Sequence, residues 1–222
     1  MSWNLIESYA AGAKLFSTEW WPRRKSKVTM TSKPPSAVML DTNILYPAPI
    51  RDILLQLAVE KLFRPRWSPD VFREWMAIDR RLRADHDPAK VARTQQHMVQ
   101  LWFEGTITGY EHRIGDLTLP DSEDRHVLAA AIQGECDTIV TQNLGHFPPD
   151  LLANYAIEVY HPDDFLSMLL DQHPHECWRA VRTVRLRLQN PPYTVPEFLG
   201  NLAKVQLRKT AMKLQRDSHR LQ

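Results

Sequence analysis

The chain is poor in cysteine and has no long apolar run, and each shortage removes a class of protein. Two cysteines in 222 residues, Cys136 and Cys177, make neither a disulfide framework nor a four-cysteine zinc site. A reduced cytoplasm is the setting this predicts. No stretch approaches the roughly 18–20 consecutive apolar residues of a membrane helix, so no membrane span is expected. The opening MSWNLIESYAAGAKLF lacks a basic leader followed by an apolar stretch and a small-residue cleavage site, so no secretory signal is expected either. Internal repeats and low-complexity tracts are also missing. What is present is ordinary: 43% hydrophobic and 24% charged residues exclude a fully disordered chain. The length suits one domain of about 100–150 residues with an appendage, or one large domain.

The net charge of +2 is unevenly spread. Residues 1–36 hold six basic and two acidic groups, net +4. Residues 37–175 hold 12 basic and 21 acidic groups, net −9, and residues 176–222 hold ten and three, net +7. An acidic middle beside a basic tail suits a metal-dependent enzyme acting on a polyanion. Taken alone, such asymmetry more often marks two solvated surfaces.

Prolines and a basic run without sustained period (WWPRRKSK, TSKPPS) predict a loose arm over residues 1–36. Structure begins at Ala37-Val38-Met39-Leu40, a continuous apolar run of the kind found in buried parallel strands. Helical spacing follows over 53–62. Ser68-Pro69-Asp70 then opens a helix with Ser as cap and Pro at its first position. The apolar positions expected in that helix are Val71, Trp75, Ile78 and Leu82. Further helices are expected over 88–103 and 122–134, and strands over 106–110 (TITGY), 138–141 and 157–160. Alternating strands and helices imply an α/β fold with a parallel sheet. Beyond Pro162 the pattern is helical throughout, over 163–171, 175–189 and 196–218, and a boundary is placed at 161/162.

Active sites of parallel α/β sheets form at the carboxyl ends of the strands. Asp41 directly follows the first strand and should sit there, although a lone Asp is more often a turn-former or a cap. Glu74 falls on an otherwise apolar helical stretch. Asp121, Glu123 and Asp124 crowd the start of the next helix, where capping and dipole roles compete with a site role. Thr141 and Asn143 follow a later strand at the same edge. Carboxylates converging from separate elements repel unless a cation offsets them. Oxygen donors suit a hard ion such as Mg²⁺ or Mn²⁺.

The series Leu40-Asp41-Thr42-Asn43, then Glu74, then Asp121-x-x-Asp124-x-x-Val127-Leu128-Ala129-Ala130-Ala131, then Thr141-x-Asn143-x-x-x-Phe147 resembles the PIN domain, and within it the VapC-type toxins. The resemblance covers residues 37–161. It implies a three-layer α/β fold with a central parallel sheet flanked by helices, and a metal-dependent endoribonuclease. Asp41, Glu74 and Asp124 would bind Mg²⁺ or Mn²⁺, Asp121 would be the additional acid of the catalytic set, and Asn43, Thr141 and Asn143 would order the site. It further implies an RNA substrate, translation arrest, a small cognate antitoxin and a homodimer. Many relatives carry Asp where this chain has Asn143, which leaves a second metal position open. The tail after residue 161 resembles the C-terminal extension of some of these toxins.

Other residues are read more plainly. Trp67, Trp75 and Trp102 are expected in helical segments as core or interface aromatics, and His126 as a packing residue on a different helix face from Asp124. His173-Pro174-His175 reads as a loop-to-helix junction. Lys209, Lys213, Arg216 and Arg220 recur on one face of the predicted 196–218 helix and are candidate RNA phosphate contacts. Two alternatives stay open: a PIN fold with an inactive site that binds RNA or a partner, and a haloacid-dehalogenase-like phosphatase. The phosphatase would need a second Asp where Asn43 stands, and a later Lys that is missing.

Overall fold

The run Ala37–Leu40 forms strand β1, every residue of it buried, as its unbroken apolar sequence requires. A computed structural model describes residues 36–82, 88–189 and 191–222. The expected arm lies outside them except for Ser36, as do Trp20 and Trp21. β1 pairs in parallel with β2 (Arg64–Arg66) on one side and β3 (Thr138–Val140) on the other. β3 pairs in parallel with β4 (Glu158–Tyr160), giving the order β2-β1-β3-β4. This is the α/β architecture expected, with one exchange of strands.

That exchange has a local cause. β2 is Arg64-Pro65-Arg66, a sequence with no strand signature. It forms because it is an edge strand, where a proline's missing N–H is tolerated. The expected strand 106–110 is instead an irregular extension. Ile107 N–H donates to the Trp67 carbonyl (2.8 Å) and Trp67 N–H to that of Gly105 (3.0 Å), a single bridge with no ladder beyond it. Trp67 is fully buried there, outside any helix, with its indole N–H on Thr106 Oγ1 at 3.0 Å. Gly105 is required beneath it, since a Cβ at that position would come within 2.9 Å of the Trp67 ring.

The helices supply the rest of the core. α1 (Thr42–Leu45) is a single turn, and α2 (Ala48–Val59) is buried along nearly its whole length. α3 (Pro69–Leu82) begins as the sequence indicates, with Ser68 Oγ accepting from Val71 N–H at 3.2 Å. Its buried stripe is Val71, Trp75 and Asp79, so the expected Ile78 and Leu82 are not core. Leu82 is 58% exposed, and Ile78 is half-buried on another face. α4 (Pro88–Leu101) and the short α5 (Glu111–Ile114) lead to α6 (Arg125–Gln133), whose Val127–Ala131 segment is fully buried. α7 (Pro149–Leu152) precedes β4.

After β4 come α8 (Pro162–Gln172), α9 (Pro174–Arg187), α10 (Val195–Lys204) and α11 (Arg208–Arg216). The sequence predicts one helix over 196–218. The chain breaks it at Val205–Leu207, where Gln206 takes a left-handed φ of 67° and Leu207 N–H closes back onto the Leu202 carbonyl. The basic row is therefore divided. Lys209 pairs with Asp164, and Lys213 reaches Asp171 (2.5 Å) and the Ser167 carbonyl (3.0 Å), joining α11 to α8. Arg220, in a terminal 3₁₀ turn, stacks over Trp178 at 4.8 Å, and Arg216 is exposed.

α2 also buries a charged pair. Arg51 and Asp52 form an ion pair at 3.0 Å, and the Arg51 guanidinium lies over the Trp75 ring at 5.1 Å. Burial pushes the Asp52 carboxyl up to about 6, against the opposing pull of Arg51 and Arg187. A carboxyl raised in the folded state holds a proton that the unfolded chain releases near pH 4. Its contribution to stability is therefore present at low pH and lost as pH rises through about 6. Asp52→Asn should gain stability relative to the unaltered chain across that window, by on the order of 2–3 kcal/mol. Urea unfolding of both proteins at several pH values, in chelator, measures the difference. A difference that stays flat with pH refutes the shift.

Candidate active site

Asp41 is placed by the end of β1. Its N–H still donates to the Val140 carbonyl (3.2 Å) in the ladder with β3, and its backbone stays extended before α1 turns away. The side chain caps that turn and belongs to the cleft at the same time. Oδ1 accepts from Thr42 N–H (2.6 Å), and Oδ2 accepts from the Asn43 amide (2.6 Å) and the Thr141 hydroxyl (2.7 Å). Asn43 Oδ1 in turn accepts Gln142 N–H at 2.9 Å, and Thr141 Oγ1 accepts Asn143 N–H at 3.0 Å. Asn43 and Thr141 thus hold both the carboxylate and the turn after β3. Asn143 itself is exposed at the rim.

Glu74 reaches the same place from the second turn of α3. Thr42 Oγ1 donates to its Oε2 (2.5 Å), and His126 Nε2 lies 2.8 Å from its Oε1. A carboxylate only accepts, so Nε2 carries the proton in this pair. His126 is buried and faces Glu74; it is not the mere packing residue that the sequence predicts.

Asp124 occupies the residue before α6 and makes no capping bond to that helix. Its Oδ2 instead meets His146 Nδ1 at 2.5 Å, from the 3₁₀ turn that follows β3. Asp121 lies beside this pair, 3.6 Å from His146 Nδ1, and its Oδ1 accepts Glu123 N–H at 3.0 Å in a tight turn. The helix starts at Arg125 and not at 122, so this acidic run is a loop over the rim.

Asp41, Thr42, Asn43, Glu74, Asp124 and Asn143 line one cleft of about 340 Å³, together with Ala77, Ile78 and Arg81 of α3. Three carboxylates from three separate elements therefore line one cleft. A sequence model of the PIN domain matches residues 37–145, and one of the VapC50 C-terminal domain matches residues 162–216. Residues 37–145 are therefore a PIN domain. The chain is 40% identical over 82 residues, 37% of its length, to a Mycobacterium tuberculosis (strain ATCC 25618 / H37Rv) protein named "Putative ribonuclease VapC50". That match covers 48% of the relative, so the chain spans about half the length of the curated relative it matches. No solved structure matches it.

The electrostatics of this PIN domain are those of clustered, largely buried carboxyls that could hold a cation. Burial drives the Asp41 carboxyl up to about 6, with Asp124 and Glu74 adding repulsion, while bonds from Thr141 and Thr42 oppose the rise. Burial also raises Asp124, against the pull of His146. Burial would raise Glu74 as well, but its bonds from His126 and Thr42 leave it lowered. Burial thus disfavours the charged form at two of the three carboxyls, a shift that a nearby divalent ion would oppose. Carboxylate oxygens of Asp41, Glu74 and Asp124 line the cleft, but the ligand atoms that lie within 4.8 Å of one another are those of Asp121, Asp124 and His146, a group that shares only Asp124 with the predicted metal set and adds a ring nitrogen. The sequence misses His146 in this group. Its one signal was a position three residues after Asn143, on the turn that carries the rim.

Proposed function

We propose that this PIN-family chain is a metal-dependent endoribonuclease that hydrolyses RNA phosphodiester bonds. The observation that carries the reading is the convergence of Asp41, Glu74 and Asp124 on one open cleft, each oriented by a different partner. The named ribonuclease among its relatives supports it. Mg²⁺ or Mn²⁺ held by Asp41, Glu74 and Asp124 would lower the pKa of the attacking water and offset charge on the scissile phosphate. The chain's own residues do the rest. Thr141 and Asn43 fix Asp41, while Thr42 and His126 keep Glu74 ionised and aimed into the cleft. His146 holds Asp124, and Asp121 adds negative charge beside it.

In this reading, residues 37–161 form the nuclease domain and 162–222 a helical extension. The chain acts in the cytoplasm as the toxin of a toxin–antitoxin pair that arrests translation. Its partners are RNA, a small antitoxin that blocks the cleft, and a second copy of the chain. No helix among the described residues is long and apolar enough to cross a membrane. Phosphate contact by the tail would fall first to exposed Arg216, and to Lys209, Lys213 and Arg220 by exchange of their internal partners. A second reading, a PIN fold that binds RNA or a partner without cutting, draws on Asn143, which brings no charge to the rim. The phosphatase alternative is disfavoured by Asn43, whose amide donates to Asp41 where that chemistry needs an acid.

Purified protein with Mg²⁺ should cleave RNA internally and leave DNA of the same sequence intact. Expression should arrest growth, and the product of an adjacent gene should relieve it. RNA that is bound but never cut would favour the non-catalytic reading.

A further inference from the structure

The cleft contains one cation among the described residues, and the catalytic reading leaves it without a role. Arg81 lines the same cleft as Asp41 and Asp124. It is exposed, and no carboxylate among the described residues pairs with it. Its place follows from helical geometry. Glu74, Ala77, Ile78 and Arg81 stand at i, i+3, i+4 and i+7, so one face of α3 presents a carboxylate, two apolar groups and a guanidinium in line. Arg81 lies about 10 Å along the axis from Glu74, close to two helical turns. The buried face of the same helix is Val71, Trp75 and Asp79, so this second face is left to the cleft.

We propose that Arg81 binds a backbone phosphate of single-stranded RNA adjoining the scissile bond, with Ile78 beneath the intervening sugar or base. The inference rests on the ribonuclease reading and deepens it. Three carboxylates repel a polyanion on approach, and a metal offsets them only at the reacting phosphate. A neighbouring phosphate needs its own counter-charge, and a planar guanidinium can take two of its oxygens at once. Arg80 is an internal comparison. It too sits in the last turn, where cations suit the helix dipole, but it lies off the cleft face and is exposed. A dipole role would be shared by both arginines; a phosphate role belongs to Arg81.

The test is binding of a short fluorescein-labelled single-stranded RNA of mixed sequence, measured by anisotropy across a salt series. It uses the full chain carrying Asp41→Asn to prevent cleavage. Arg81→Gln in that background should weaken binding about tenfold. The slope of log affinity against log salt should shrink by about 0.7. Arg81→Lys should recover most of the slope and part of the affinity, while Arg80→Gln should change neither. In the otherwise unaltered enzyme, Arg81→Gln should raise KM far more than it lowers kcat. RNA binding with affinity and slope unchanged by Arg81→Gln overturns this assignment alone, as does an equal loss from Arg80→Gln. Loss of binding to an acidic protein partner with RNA binding intact overturns it in favour of that partner. An Asp41→Asn chain that binds no RNA, together with an unaltered chain that cuts none, overturns the ribonuclease reading itself.

Discussion

Asp41→Asn and Asp124→Asn are each expected to reduce RNA cleavage by about 10²–10³-fold while leaving the protein folded. The activity loss follows from charge: each removes one of three carboxylates facing the cleft, and with it a ligand for the cation. The stability outcome separates a site from a scaffold. Asp41 is buried, and its carboxyl is driven up to about 6 by burial and by its acidic neighbours, so the ionised side chain is a cost in the metal-free fold. Asn removes that cost but places an N–H against one of three donors: Thr42 N–H, the Asn43 amide or the Thr141 hydroxyl. The two effects offset, and the melting temperature of metal-free Asp41→Asn should stay within a few degrees of the unaltered chain. Asp124 makes no helix-capping bond, so its neutralisation should leave the metal-free melting temperature equal or higher. Calorimetry in chelator and a cleavage assay on the same preparations read both quantities. A collapse in melting temperature for either variant would make that residue a structural cap. Full activity would remove it from the site.

Chelation is the second large effect. Extensive dialysis against EDTA should abolish cleavage, and Mg²⁺ or Mn²⁺ should restore it, with Zn²⁺ restoring it poorly because carboxylate oxygens suit harder ions. Binding to the folded chain alone also stabilises it, by about 2.7 kcal/mol at a hundredfold excess over Kd. The melting temperature should therefore rise with Mg²⁺ or Mn²⁺ concentration in the unaltered chain and much less in Asp124→Asn. This second readout does not depend on turnover. Cleavage that survives chelation, or a rise of equal size in both proteins, would remove the metal from the mechanism.

Much of the acidic site was legible in the sequence because strand ends and helix starts are local events. An apolar run stopped by Asp41-Thr42-Asn43 places a carboxylate at a sheet rim, and Ser68-Pro69 fixes where α3 begins and hence which way Glu74 turns. The errors share a different origin. Arg64–Arg66 is a strand because β1 lies beside it, and TITGY is not one because its neighbour is a single residue, Trp67. The 196–218 helix breaks at Gln206, where the chain folds so that α11 can lie on α8 through Lys209 and Lys213. These are long-range pairings, and no local propensity encodes them.

The sequence by itself determined the parallel α/β class and the helical tail, and put the three acidic residues at strand and helix ends, because period, capping and strand-end polarity depend on residues close together in the chain. The tertiary structure alone decided which side chains support those carboxylates. His126 reaches Glu74 across 52 positions, His146 reaches Asp124 across 22, and Thr141 reaches Asp41 across 100. It also decided that Asp121 joins His146 at the edge of the site, and that Arg81 faces the cleft while Arg80 does not. Hydrogen bonds and charges act over a few ångströms of space, and only the fold converts such separations into contact.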